Sequence, residues 1–184
     1  MALDPTQVVV APGGSIAVAP ESTTEPANED SALNAAFVEV GYVDENGVLF
    51  NTSPNITDIN SWQSQYPTRT LTETREGGVA FSMQQWNADN FKIAFGGGSI
   101  EVVSGGHYKY VPPSGNPAVQ VICVTWTDTH TYRLVVPRGQ IVSDVQVPIR
   151  RAAAALLPVT FRVLGPAEGG DPWYLLTDDP DFAS

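Results

Sequence analysis

The stretch AFSMQQWNADNFKIAFGGG, residues 80–98, is where the hydrophobic period of the chain changes. Just before and into it, Val79, Phe81 and Met83 alternate with Ala80, Ser82 and Gln84, the period of two of a strand buried on one face. Then the pattern of a short helix begins. Asn87 is a suitable N-cap, and Asp89 suits the positive end of a helix. Trp86 before the cap and Phe91 at the fourth helical position can close as a hydrophobic staple. Ala88, Phe91 and Phe95 share one face, and Gly96 supplies a left-handed C-cap. The spacing predicts a helix over 87–95, with Trp86, Phe91 and Phe95 packing into the core. So short a helix does not hold together alone in water. It must lie against something larger.

The rest of the chain supplies sheets. Segments 100–103, 107–111, 119–126, 131–136, 145–150, 159–164 and 173–177 read as strands between Gly, Pro, Asn and Asp turns. AAFVEVGYV-DENG-VLF reads as a hairpin turning at Asn46-Gly47. Near the N-terminus, 8–10 and 15–19 read as short strands. RAAAALLP, residues 151–158, is ambiguous between a helical turn and a loop. Many short strands with regular turns mean a sandwich or barrel. The expected organisation is an N-terminal arm (1–33), a β domain (34–164) and a C-terminal extension (165–184). Within the domain, 51–71 reads as a long polar loop. Loops of that length are functional or disordered, and Trp62 and Tyr66 argue against disorder.

The chain has 184 residues, enough for one real core, and no apolar run of spanning length. No basic leader precedes the first apolar residues, so synthesis and assembly in the cytoplasm are expected. Cys123 is the only cysteine, which excludes an intrachain disulfide. In VQVICVTW it reads as a buried structural thiol. The net charge is −11 and unevenly spread. Nine acids and no bases precede Arg69, and five acids and no bases follow Arg162. The segment between holds nine bases and six acids. The acidic ends are either solvated or docked on basic surface of neighbouring copies. Standing nucleic-acid binding is not expected without clustered bases.

Catalytic, cofactor and metal residues are not found. His107 and His130 have no ligand-spaced partner. The GGGS run follows a helix, whereas a phosphate cradle precedes one. Asp128 and His130 lack a nucleophile, and Asp178, Asp179 and Asp181 match no calcium loop. The product of such a chain is shape.

On those residues the chain resembles a known family. AFVEVGYVDENGVLF and SPNITDINSWQSQYPTRTLTETREGGVAFSMQQWNADNFKIAFGGG look like the major tail protein, the tail tube subunit, of long-tailed phages, above all of actinobacteriophages. SIAVAPESTTEP upstream, and VPIRR, LLPVTFRVL and WYLLTDDP downstream, are similar to the ends of that family. The resemblance implies a mainly β fold: two packed, roughly orthogonal antiparallel sheets with one short flanking helix. It implies a virion protein without enzymatic activity or cofactor, forming hexameric rings stacked into a tube. The implied partners are other copies of the chain, a tape measure protein in the lumen, and tail terminator and tail tip proteins. DNA would pass without specific binding, and no membrane is involved. The loop 51–71, with Asp58, Trp62, Tyr66 and Arg69, is expected to be an assembly element. Which strand face lines the lumen is left open by the strand alternation. Two other readings remain: another virion or secretion-tube component of the same fold, or a carbohydrate-binding β-sandwich using Trp62, Tyr66 and Trp173.

Overall fold

A computed structural model describes residues 7–166 and 169–183. Ten strands and one α-helix follow in the order β1 (Gly14–Pro20), β2 (Val38–Glu39), β3 (Val43–Ile59), β4 (Arg69–Met83), α1 (Ala88–Ala94), β5 (Ser99–Ser104), β6 (His107–Val111), β7 (Val119–Thr127), β8 (Thr131–Ile141), β9 (Leu157–Val163) and β10 (Tyr174–Thr177). The fold is mainly β, with two antiparallel sheets and one short helix. The main sheet runs β2-β1-β7-β8-β9-β4-β3, with β10 added to β8, and β5-β6 forms a separate hairpin.

Three residues decide how the main sheet curls. β2 and β3 stand at opposite ends of the strand order, yet only Val40, Gly41 and Tyr42 join them. Such a link spans at most about 14 Å, so the ends of the sheet must approach each other. Two backbone hydrogen bonds fix that closure: Val40 N–H donates to Ile16 and Gln84 N–H to Tyr42. Gly41, at φ 73°, makes the turn between them.

The sheet folds over along β8. Tyr132–Val135 of this strand pair with β10, whereas Gly139–Ile141 pair with β9. A register shift in β7 between Gln120 and Ile122 accompanies the change. Strands commonly pass from one layer to the other through such bends. Gly139 is required there, because a Cβ would collide with the Phe161 ring and meet the Arg162 carbonyl at 2.6 Å.

The core lies between the layers. Ile16 and Val18, Ile122 and Val124, Leu134 and Val136 face Val79, Phe81, Met83, Leu157, Val159 and Phe161. The alternation read at 79–84 is therefore real. The opposite face of β1, β7 and β8 is also buried, through Ala17, Ala19, Val121, Cys123, Arg133 and Val135. Segment 21–36 covers it. Arg133 Nη1 donates to the carbonyls of Asn28 and Ser31, both at 2.8 Å, and Tyr174 Oη donates to Glu25.

α1 begins as its sequence requires. Asn87 Oδ1 accepts from Asn90 N at 2.8 Å. Trp86 meets Phe91 edge-on at 5.1 Å, closing the staple. Gly97 N–H donates to Lys92 and Gly96 N–H to Ile93, a Schellman ending. The face turned to the core carries Asn90, Ile93 and Ala94. Phe91 and Phe95 are only partly buried and Trp86 is exposed. They form an aromatic bridge to Tyr110 of β6, which meets Phe91 at 5.7 Å and Phe95 at 5.6 Å.

Several local expectations are corrected. DENG does not turn a hairpin. It bulges out of β3, between the pairs Val43↔Met83 and Val48↔Phe81. Gly14–Pro20, inside the expected arm 1–33, is an inner strand of the main sheet, paired to β2 and β7. Residues 8–10 are not in a strand, nor are 145–149. RAAAALLP forms a turn with an Arg150↔Ala153 bridge, then enters β9. The expectations that fall on 1–6, 167, 168 and 184 lie outside the described residues.

Candidate assembly surfaces

The polar stretch read as a loop at 51–71 is strand for most of its length. Asn51–Ile59 pair with Arg69–Gly78 in continuous antiparallel register, with one irregularity at Asn55/Ile56. β9 accompanies β4 only from Gly78 onward, so the outer part of the hairpin has no second neighbour. Residues 51–60 and 69–76 are exposed on both faces. This is a two-stranded ribbon leaving the body. Its Thr and Ile residues suit extended backbone. Pro54 is tolerated because β3 is an edge strand. With both sides wet, no apolar alternation marks the ribbon, which is why the sequence pattern missed it.

The four expected assembly residues meet at its far end. Asp58 lies opposite Thr70 and accepts its hydroxyl hydrogen bond at 3.1 Å. Arg69 pairs with Ile59 across the last rung. Thr68 N–H and Oγ1 both donate to the Ile59 carbonyl at 2.8 Å. Ser64 Oγ donates to the Tyr66 carbonyl and accepts from Tyr66 N–H, which shapes the tip. The tip presents Trp62, 98% exposed, and Tyr66, 79% exposed. Side chains of this size are rarely left so bare without a partner surface.

At the body end, an apolar groove of about 900 Å³ opens into the core. It lies between the chain entering β1, the start of β3, and β7, β8 and β10. Ile16, Val48, Phe50, Trp126, Trp173 and Leu175 are among its walls. Trp173 stands edge-on to Phe50 at 4.9 Å. Asp44 and Glu45 lie at its edge. Sequence reasoning did not find this feature, because it is assembled from segments far apart in the chain.

Electrostatics follows an intramolecular pattern. Arg138 Nε lies 2.7 Å from Glu21, and Arg162 Nη2 lies 3.0 Å from Glu76. Lys109 meets Glu101 at 3.4 Å, and Lys92 meets Asp89 at 3.7 Å. Among the described residues, Arg69, Arg75, Arg150 and Arg151 have no carboxylate within 4.0 Å. At the C-terminal end, Tyr132 Oη donates to Asp179 at 2.6 Å. That bond and the Asp181 N–H hold the Asp179 carboxyl below the ordinary range. The same bond, with burial, pushes the Tyr132 phenol up to about 12.

Reactive chemistry is not assembled. Burial pushes the Cys123 thiol up to about 12, so it is protonated at neutral pH. Among the described residues, no His, Cys, Asp and Glu group is placed to hold a metal. Among the described residues, no helix is long and apolar enough to cross a membrane.

The described residues make a curled antiparallel sandwich with one capped helix, a bare ribbon and an open apolar groove, the frame of a structural β protein. The family model described as phage tail tube protein matches residues 1–184, and the chain belongs to that family. It is a structural component of the virion tail tube, a major tail protein, and not an enzyme. No curated protein matches the chain significantly.

Proposed function

We propose that the chain forms hexameric rings that stack into the tail tube, enclose a tape measure protein and later conduct DNA. Assembly takes place in the host cytoplasm, and the tube ends meet terminator and tip proteins. The observation that carries the self-assembly is the ribbon Asn51–Gly78. An isolated two-stranded ribbon is marginal in water, and this one has exposed aromatics at its tip. It is the assembly element, with Trp62 and Tyr66 as contacts, Asp58 setting the rung beneath the tip, and Arg69 free for a partner's carboxylate. A heterologous contact that closes gives a ring.

The lumen is neutral to acidic in this reading. Four of the nine bases pair with carboxylates of the same chain, and Arg133 is buried, 7% exposed. That leaves few cations to hold passing phosphates. A sugar platform is disfavoured, because Trp173 packs on Phe50 while Trp62 and Tyr66 sit at the ribbon tip.

Electron microscopy of the purified chain tests the reading. Rings or tubes of uniform width are expected. Replacing residues 52–77 by a two-residue turn should leave a folded body that makes no tubes. Wild-type tubes from that variant would remove the ribbon from assembly, and a wild-type chain that stays monomeric would remove the tube.

A further inference from the structure

Among the described residues, the groove and the ribbon tip are two surfaces whose apolar parts lack a cover. We propose that the groove is the receptor for the ribbon tip of a second copy of this chain, with Trp62 as the inserted side chain. This rests on the tube reading and adds the surface that receives the ribbon.

Four observations support it. The first is need. An open apolar groove of about 900 Å³ falls in the size range of pockets that bury drug-sized molecules, and it leads directly to core residues. The second is fit. An indole is a rigid amphipathic anchor of the kind that dominates interface energies, and Trp62 is 98% exposed. The third is charge. Among the described residues, Arg69 beside the tip has no carboxylate within 4.0 Å, and Asp44 and Glu45, which line the groove, have no base within 4.0 Å. These carboxylates are also acceptors for the indole N–H. The fourth is geometry. Phe50 is in the groove wall and on the same strand as Ile59, so β3 itself holds groove and tip apart. Nine residues of strand span roughly 30 Å. A chain therefore cannot fill its own groove without folding the ribbon back, and the occupant comes from another copy. Tip and groove are different patches, so the contact is head-to-tail.

Two variants test the pair. Trp62→Ala removes the tip anchor, and Val48→Trp fills the groove. Each alone should raise the critical concentration for tube formation by roughly 30-fold or more, the equivalent of losing a hot-spot residue. Mixed, the two should bind each other, since one keeps an intact groove and the other an intact tip. Light scattering and sedimentation read both outcomes, and thermal melting checks that each variant is folded. Tubes from either folded variant at the wild-type concentration would overturn the proposal and leave the tube reading standing. So would failure of the two folded variants to associate. Should Val48→Trp not fold, tryptophan emission decides. The difference spectrum between wild type and Trp62→Phe should shift to the blue on assembly. Emission that stays at the solvent-exposed wavelength in assembled tubes would overturn the proposal. A wild-type chain that forms no tubes would sink both readings together.

Discussion

Replacing Asn90 by leucine tests whether the helix is the fastener of the curled sheet. Asn90 is fully buried. Its Nδ2 donates to the Val40 carbonyl and to the Gln85 carbonyl, both at 2.9 Å. Val40 lies in the three-residue link between the two ends of the sheet, and Gln85 leaves the end of β4. One side chain thus ties α1 to both sides of the closure. Leucine has a similar size but no donor. Two carbonyls would then be left without this partner, at about 1–3 kcal/mol each. Burying leucine in place of an amide returns about 1–2 kcal/mol. Subtraction leaves about 0–5 kcal/mol, with a middle value of about 2.5 kcal/mol. In a domain of this length, each kcal/mol moves Tm by about 2–4 °C, so a fall of about 5–10 °C is expected at that middle value.

Differential scanning calorimetry reads that fall directly. Hydrogen exchange adds a local signature. The amides of Val40 and Gln84, which donate across the closure, should lose protection more than those in the centre of β7. A Tm within 2 °C of wild type would refute the reasoning. So would a uniform loss of protection, because the helix would then contribute only general packing.

Two further outcomes follow from burial and charge. Phe161→Ala, at a fully buried ring, should cost about 3–5 kcal/mol. Phe91→Ala should cost less, because Phe91 only partly contacts the core; calorimetry giving the opposite order would contradict the packing described. The Tyr132–Asp179 bond should respond to pH at both ends. The depressed Asp179 contributes stability above the ordinary carboxylate pKa of 3.8 and loses it as pH falls through the lower folded value. The raised Tyr132 contributes below pH 10 and loses its contribution as pH rises toward about 12. Protection of the β10 amides should therefore fall below about pH 4 and above pH 10, and a Tyr132→Phe variant should lose the alkaline dependence.

Legibility in the sequence tracked whether a residue's environment is local. The helix was readable to its last cap, because Asn87, Trp86 and Gly96 act on residues within five positions. The alternation of Val79, Phe81 and Met83 was readable because one face of β4 is buried and the other less so. The ribbon was not readable, since Thr52, Asn55, Thr72 and Thr74 face water on either side. DENG carried the local chemistry of a hairpin turn, but tertiary pairing gave Val38–Glu39 to β1 and Val43 onward to β4. The expected helical face put Phe91 and Phe95 inward. They do pack against the core, though only partly buried, and they also meet Tyr110 of β6. Trp62 and Tyr66 stood out by loop length and aromatic content, and Asp58 and Arg69 entered with the family resemblance. The groove was invisible, because Ile16, Phe50, Trp126 and Trp173 meet only after folding.

The acidic head shows why charge counting was an incomplete guide. Two uses were open for it from sequence: solvated tail, or contact with neighbouring copies. Residues 21–36 show a third use within the chain. Arg133, near the start of β8, projects into a nearly dry site without a carboxylate partner among the described residues, which would be costly for an isolated cation. It is made tolerable by the carbonyls of Asn28 and Ser31 and by Thr125 Oγ1. Glu21 then binds Arg138 at the bend of β8, and Glu25 accepts from Tyr174 of β10. The head is thereby strapped over the second face of the layer, where Ala17, Cys123 and Val135 would otherwise meet water. Exposed ion pairs contribute little each and weaken with salt, so the strap depends mainly on Arg133. Arg133→Met would remove the three fixed hydrogen-bond partners while keeping an apolar stem. It should release segment 21–36 to proteolysis with the core still folded. A variant as resistant to limited proteolysis as wild type would show that apolar cover alone, through the buried Pro26, holds the strap in place.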